Sequence, residues 1–228
     1  MSFRLAERLG PADAVTLANA ALGVAAVAVA LAGRLDLTAR LLLLAAIADG
    51  LDGIVARRFG GSSVGPTLDA MADVVSFGAA PAVFVLAVAR AGFPPIAVDP
   101  TGYVLATVVA ALVVCFSLVR AAMYTVHYPG ETRRPGIQNT LLASILAAAY
   151  LAGLTAPAAV VALAGVLSVL QVAPVPYPKL LTRDAFAMGT VQFAAVLAPR
   201  LANRMFPRLL LVAAVAYTVL APGLYWGE

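Results

Sequence analysis

The chain has 228 residues, of which 63% are hydrophobic and 11% charged, and its mean hydropathy is +0.97. A soluble domain carries about 25% charged residues, so this composition cannot cover a globule with polar surface and excludes a soluble hydrolase, a Rossmann fold and a nucleic-acid module. The net charge of +4 comes from fourteen Arg and one Lys spread along the chain, a pattern that reads as helix-end anchoring against anionic head groups. A lone cysteine, Cys115, rules out an intrachain disulfide and a Cys-based metal site.

Arg4 and Arg8 precede Pro11 and an apolar run from Ala14 to Ala32. That run exceeds a signal-peptide core and further apolar runs follow, so the expectation is a retained first helix. Gly and Pro then punctuate the chain. The breaks predict spans at about 13–33, 37–58, 66–90, 102–126, 137–153, 157–173, 184–199 and 206–223. Roughly 20 apolar residues cross a bilayer, so the fifth to seventh are short, and six to eight spans fit, with eight preferred. The fold class is an all-α integral membrane protein of one membrane-embedded domain over residues 1–228. No internal repeat is visible.

With the N-terminus inside, Arg4, Arg8, Arg57, Arg58, Arg133, Arg134, Lys179 and Arg183 fall on inner segments; Arg34, Arg40, Arg90, Arg200, Arg204 and Arg208 fall on outer ones. Eight against six is a weak positive-inside bias. Arg200, Arg204 and Arg208 stand at i, i+4, i+8, which predicts one helical face. Tyr217, Tyr225 and Trp226 read as an interfacial aromatic belt.

Four of the eleven acidic residues, Asp49, Asp52, Asp69 and Asp73, lie within 25 positions. An Asp at a helix centre costs about 3 kcal/mol on insertion scales, so intramembrane carboxylates are functional candidates by default. Asp49 and Asp52 are i, i+3 on the second helix; Asp69 and Asp73 are i, i+4 on the third, so each pair shares a face. The short segment Gly60-Gly61-Ser62-Ser63-Val64 makes the two helices antiparallel neighbours, and the pairs converge at one end. Clustered carboxylates repel unless cations compensate, and an all-oxygen donor set selects Mg²⁺, Mn²⁺ or Ca²⁺ over Zn²⁺. Two such ions form a clamp used for displacement at phosphorus. Gly53 and Gly65 leave room for a ligand to approach the backbone, and Arg57 suits a phosphate. The structural alternative is that the aspartates pair with Arg57, Arg58 or Arg120. Asp13, Asp36, Asp99, Glu131 and Asp184 lie at span ends and are expected to be solvated.

The run Asp49-x-x-Asp52-Gly53-x-x-Ala56-Arg57, then seven residues, then Gly65-x-x-x-Asp69-x-x-x-Asp73 resembles the signature of the CDP-alcohol phosphatidyltransferases. The resemblance implies a six-helix membrane core, usually a homodimer, with a polar cavity opening at the cytoplasmic surface of the cell membrane. It implies that Asp49, Asp52, Asp69 and Asp73 bind two divalent ions (Mg²⁺ or Mn²⁺) on the pyrophosphate of a CDP-linked lipid. Asp73 would also deprotonate the attacking hydroxyl. Gly53, Ala56 and Gly65 would line the nucleotide pocket, Arg57 would steady it, and Thr16 and Asn19, one face of the first helix, would touch the pyrophosphate unless they bond across to another helix.

The acceptor is read from the run Asp73-Val74-Val75-Ser76-Phe77-Gly78 with the small-residue Pro81 segment, which resembles the serine-accepting branch. Thr16 to Gly23 and Pro176-Tyr177-Pro178-Lys179 resemble it too. Arg120-Ala121-Ala122 and Gly136-Ile137-Gln138-Asn139 depart from the bacterial pattern, so the chain looks closer to archaeal members that use CDP-archaeol, with CDP-diacylglycerol as the alternative. The partners implied are a CDP-linked lipid, L-serine and membrane lipids, with no nucleic acid. Other acceptors in the family are glycerol phosphate and inositol phosphate. Arg120 is either a ligand for a carboxylate or phosphate or a helix-end cation snorkelling to the head groups, and Ser76 either joins the acceptor pocket or packs helices. Arg133, Arg134 and the sole histidine, His127, read as interfacial residues. A rival from another class is a divalent-cation transporter, which would need midplane carboxylates and a repeat.

Overall fold

The computed structural model describes residues 9–127, 133–178 and 180–224. Arg4, Arg8, Glu131, Lys179, Tyr225 and Trp226 lie outside them. Among the described residues eight helices follow in order: α1 (Pro11–Leu31), α2 (Leu35–Phe59), α3 (Gly65–Gly92), α4 (Thr101–His127), α5 (Asn139–Ala152), α6 (Pro157–Gln171), α7 (Thr182–Leu197) and α8 (Leu201–Leu224). The eight predicted spans map onto them within a few residues. By length and composition α1, α3, α4 and α8 can each cross a membrane. At 1.5 Å per residue, α5 and α6, of 14 and 15 residues, reach only about 21–23 Å. They are apolar but short, as Gly153 and the prolines around them require.

The helix α3 is the axis of the bundle. More than half of its apolar window (56%) is buried, against 28% for α1 and α4, and it packs on α1, α2, α4, α5 and α6. Phe77 and Phe84 are fully buried along it, and Phe84 meets the Tyr150 ring edge-on at 5.2 Å. The outer helices keep apolar faces exposed (Val24 and Leu31 on α1, Val104 and Val108 on α4, Val212 and Val219 on α8). In lipid, unlike water, that exposure carries no penalty.

Immediately after Asp73, α3 widens into a π-helical stretch at Val74–Ala79, where the Ala80 N–H bonds to Val75 O. Such bulges inside α-helices concentrate at functional sites. Two small contacts fit it into place. The Ser76 hydroxyl donates to Asn19 O at 2.9 Å, and a Cβ on Gly23 of α1 would stand 2.8 Å from the Ser76 Cα, so only glycine allows this approach.

Two loops expected to be irregular instead pair as a two-stranded antiparallel ribbon, β1 (Arg133–Pro135) with β2 (Pro176–Pro178), placing Arg134 opposite Tyr177. Each strand is three residues with proline, so no alternation announces it. The ribbon is tied to α8 through two adjacent residues of β2. Tyr177 donates to Thr218 O at 3.0 Å, and Tyr217 donates to Pro178 O. Tyr217 is therefore a buried anchor and not part of an aromatic belt: it reaches a backbone carbonyl that lipid could not satisfy. Beneath the ribbon, Gly136 has φ 76° and a Cβ there would stand 2.0 Å from Gln171 O. Gly136→Ala should lower stability by about 3 kcal/mol, from left-handed strain plus the clash, seen as a fall in unfolding temperature in detergent; an unchanged transition would show that the turn can relax.

At the opposite end of the bundle the expected arginine face does not form. Ala202, Asn203 and Arg204 have φ of 45°, 55° and 63°, so helical spacing fails between Arg200 and Arg208. Arg200 pairs with Asp36 at 2.7 Å on the surface. Arg204 Nη1 approaches Leu151 O at 3.4 Å, beside Gly153, and Arg40 Nε donates to Val196 O at 2.6 Å. Both cations thus sit at helix C-termini, of α5 and α7, where orphan carbonyls and the helix dipole favour positive charge.

Candidate active site

The C-terminal part of α2 and the first turns of α3 bring the signature together. Asp49, Asp69 and Asp73 each offer a carboxylate oxygen, and these atoms lie within 4.8 Å of one another. The helical spacing explains why: i, i+4 on α3 aims Asp69 and Asp73 at α2 across a five-residue connection. Asp69 Oδ1 and Asp73 Oδ1 are buried and accept no hydrogen bond among the described residues. Thr140, at the first turn of α5, donates to Asp49 Oδ2 at 3.2 Å.

Asp52 stands apart from this trio. It is buried, and its Oδ2 accepts a 2.7 Å hydrogen bond from Thr16 of α1. Thr16 is thereby placed at the acidic site, bonded across to α2. Asn19, one turn further on, is fully buried with both amide atoms unpartnered. An orphaned amide at full burial calls for a partner that the described residues do not supply.

Three close carboxylates with unspent oxygens and a hydroxyl at their edge are hard oxygen donors, and they fit a divalent cation. They gather on one another and not on Arg57 or Arg58. Arg57 is exposed and lies over Gly53, with Nη1 3.4 Å from where a Cβ would be; Arg58 lies toward the Phe59 ring, 5.8 Å from its centroid. Gly53, Ala56 and Gly65 are partly exposed along the hairpin. A Cβ on Gly65 would come within 3.2 Å of Asp13 Oδ1. Asp13 is not solvated as its place at a span end predicts: it is 1% exposed and accepts the Gly10 N–H at 2.6 Å, capping α1.

Arg120 enters from α4. It is 8% exposed, its Nε and Nη2 are buried without a hydrogen-bond partner, and it lies within Coulombic reach of Asp73. A helix-end cation reaching head groups would not be so enclosed, so the snorkelling alternative fails. Its guanidinium stacks on Tyr124, 4.0 Å from the ring centroid. Ser76 is buried and spends its hydroxyl on Asn19 O, which makes it a helix-packing contact in this state. His127 is exposed at the end of α4. Thr140, Asp13 and Tyr124 were not singled out from the sequence as site residues. Only Tyr124 left a signal there, four positions after Arg120 on the same helix face.

The family model described as CDP-alcohol phosphatidyltransferase matches residues 10–220. Archaetidylserine synthase from Methanothermobacter thermautotrophicus is 28% identical over 170 residues, covering 73% of this chain and 69% of that protein. The family match runs from the head of α1 into α8 and contains the whole acidic cluster. This multi-pass membrane protein therefore belongs to the CDP-alcohol phosphatidyltransferase family, whose members transfer a phosphate-linked group from a CDP-linked substrate to an alcohol, with CMP as the leaving group.

Proposed function

We propose that this chain transfers the phosphatidyl-type group of a CDP-linked lipid, archaeol-based in preference to diacylglycerol, to the hydroxyl of L-serine and releases CMP. The observation that carries the reading is one juxtaposition: an acidic trio whose Asp73 interacts electrostatically with Arg120, a buried guanidinium with two unspent nitrogens. The likeness to an archaetidylserine synthase supports the acceptor and the tails.

In this reading the serine oxygen bonds to the lipid-bearing phosphorus while the phosphorus–oxygen bond to CMP breaks. Asp73, through its unpartnered Oδ1, accepts the hydroxyl proton; an alcohol near pH 7 is a poor nucleophile without such a base. Asp49, Asp52, Asp69 and Asp73 would hold two divalent cations, Mg²⁺ or Mn²⁺, with Asp52 turning from Thr16 to do so. Bound there, such ions supply charge neutralisation on the pyrophosphate and the departing CMP. Thr16 and Asn19 offer hydrogen bonds to the pyrophosphate, and Gly53, Ala56 and Gly65 line the nucleotide's place, with Arg57 over Gly53. Arg120 takes the serine carboxylate, which a planar guanidinium matches with two parallel bonds. The charge pattern supports a site on the cytoplasmic face of the cell membrane, and the family resemblance supports a homodimer.

The test is CMP release by purified protein in detergent with Mn²⁺ or Mg²⁺, offering CDP-archaeol or CDP-diacylglycerol. L-serine, glycerol 3-phosphate and inositol phosphate are supplied separately. The expected result is release with serine alone, faster with CDP-archaeol. Release with another acceptor overturns the serine assignment and keeps the family.

A further inference from the structure

The α4 helix and the ribbon meet at one aromatic ring. Arg120 lies 4.0 Å from the centroid of Tyr124, and Arg134, on β1, lies 5.2 Å from the same centroid. The Tyr124 hydroxyl donates to Pro135 O, the residue after Arg134, so the ring is fixed to the ribbon as well as to α4. Two guanidiniums are thereby held close together, and like charges at such range repel. A ring face attracts both, and an anion between them would relieve what remains. Arg120 still has two buried nitrogens to offer such an anion. Both cations also face the acidic trio electrostatically: Arg120 is within Coulombic reach of Asp73, and Arg134 of Asp69.

We propose that Tyr124 is a positioning residue for the acceptor, holding Arg120 and Arg134 as a two-cation clamp for its anionic group, and that the β1–β2 ribbon is part of the acceptor site. This rests on the reading of Arg120 as the acceptor's carboxylate ligand. Serine suits the arrangement because a short carbon spacer separates its hydroxyl, which must reach Asp73, from its carboxylate. A ribbon pinned by Tyr177 and Tyr217 to α8 gives Arg134 a fixed place, which a plain surface loop would not. The arrangement also explains why residues some distance apart in sequence, 120–124 and 133–135, must fold against each other before the site is complete.

The test is steady-state kinetics with each substrate varied in turn. Tyr124→Leu removes the ring and the tie to Pro135, and should raise the serine KM about ten-fold, with kcat and the CDP-lipid KM changed less than about two-fold. Tyr124→Phe keeps the ring and should raise the serine KM only about two- to three-fold, a partial rescue that bulk destabilisation would not produce. Arg134→Gln, on the ribbon outside the helix core, should raise it several-fold and covers the case in which Tyr124→Leu fails to fold. A serine KM within two-fold of the parent in Tyr124→Leu or in Arg134→Gln overturns the clamp. So does a CDP-lipid KM that rises in proportion. If the parent enzyme uses a different anionic acceptor, the serine reading fails on its own account, and the same variants measured on that acceptor decide the clamp separately.

Discussion

Asp73→Asn should lower kcat by about 10³-fold while CDP-lipid is still bound. The substitution keeps shape and removes only the capacity to take a proton, and a positioned general base contributes about 10²- to 10⁴-fold. Asp73 sits where α3 turns π-helical, so its backbone is braced by Ser76 on Asn19 O and by the Gly23 contact. The Asn side chain should therefore occupy the same place. Because the change also removes one negative charge from the trio, kcat is to be compared at saturating Mn²⁺, where lost metal affinity no longer contributes. Binding of CDP-lipid, followed by the thermal shift it produces, should persist. A kcat within ten-fold of the parent at saturating metal removes Asp73 from the base role and leaves it a carboxylate of the trio only.

The helix order and the acidic cluster were legible because both follow from local rules. Apolar runs of bilayer length punctuated by Gly and Pro give the spans, and i, i+3 and i, i+4 spacing on two helices joined by five residues leaves the carboxylates little choice but to converge. What stayed hidden depends on partners distant in sequence. Asp52 looks equivalent to Asp49 on paper, yet Thr16, 36 positions earlier, draws it aside. Arg200, Arg204 and Arg208 read as one stripe because their spacing implies a helix running through residues 202–204, which adopt left-handed backbone. Arg40 and Arg204 read as outer anchors, and their roles at the ends of α7 and α5 appear only once those helices are placed. Asp13 and Tyr217 were assigned to the surface from their position in the chain. Each is buried by a contact, Gly10 N and Pro178 O, that returns a hydrogen bond.

Asp69→Ala should abolish both metal response and turnover, and the two losses together carry more weight than either alone. Asp69 is one of three carboxylates whose oxygens lie within 4.8 Å, and its Oδ1 is buried with no other partner. Its loss leaves Asp49, tied to Thr140, and Asp73. For a hard cation that takes about six oxygen ligands, loss of one charged ligand weakens binding steeply. The direct readout needs no activity. A ligand that binds only the folded state at 100 times its Kd stabilises it by about 2.7 kcal/mol, so Mn²⁺ should raise the unfolding temperature of the parent and leave Asp69→Ala unmoved. CMP release by the variant should fall below detection at the same Mn²⁺ concentration. Full turnover in the presence of a chelator, by parent or variant, would overturn cation-assisted transfer altogether. An intact Mn²⁺ shift in the variant would instead move the ion onto Asp49, Asp52 and Asp73. There, as in the parent, Asp52 must turn from Thr16 to reach the ion, and Thr16→Val should then strengthen the shift by freeing it.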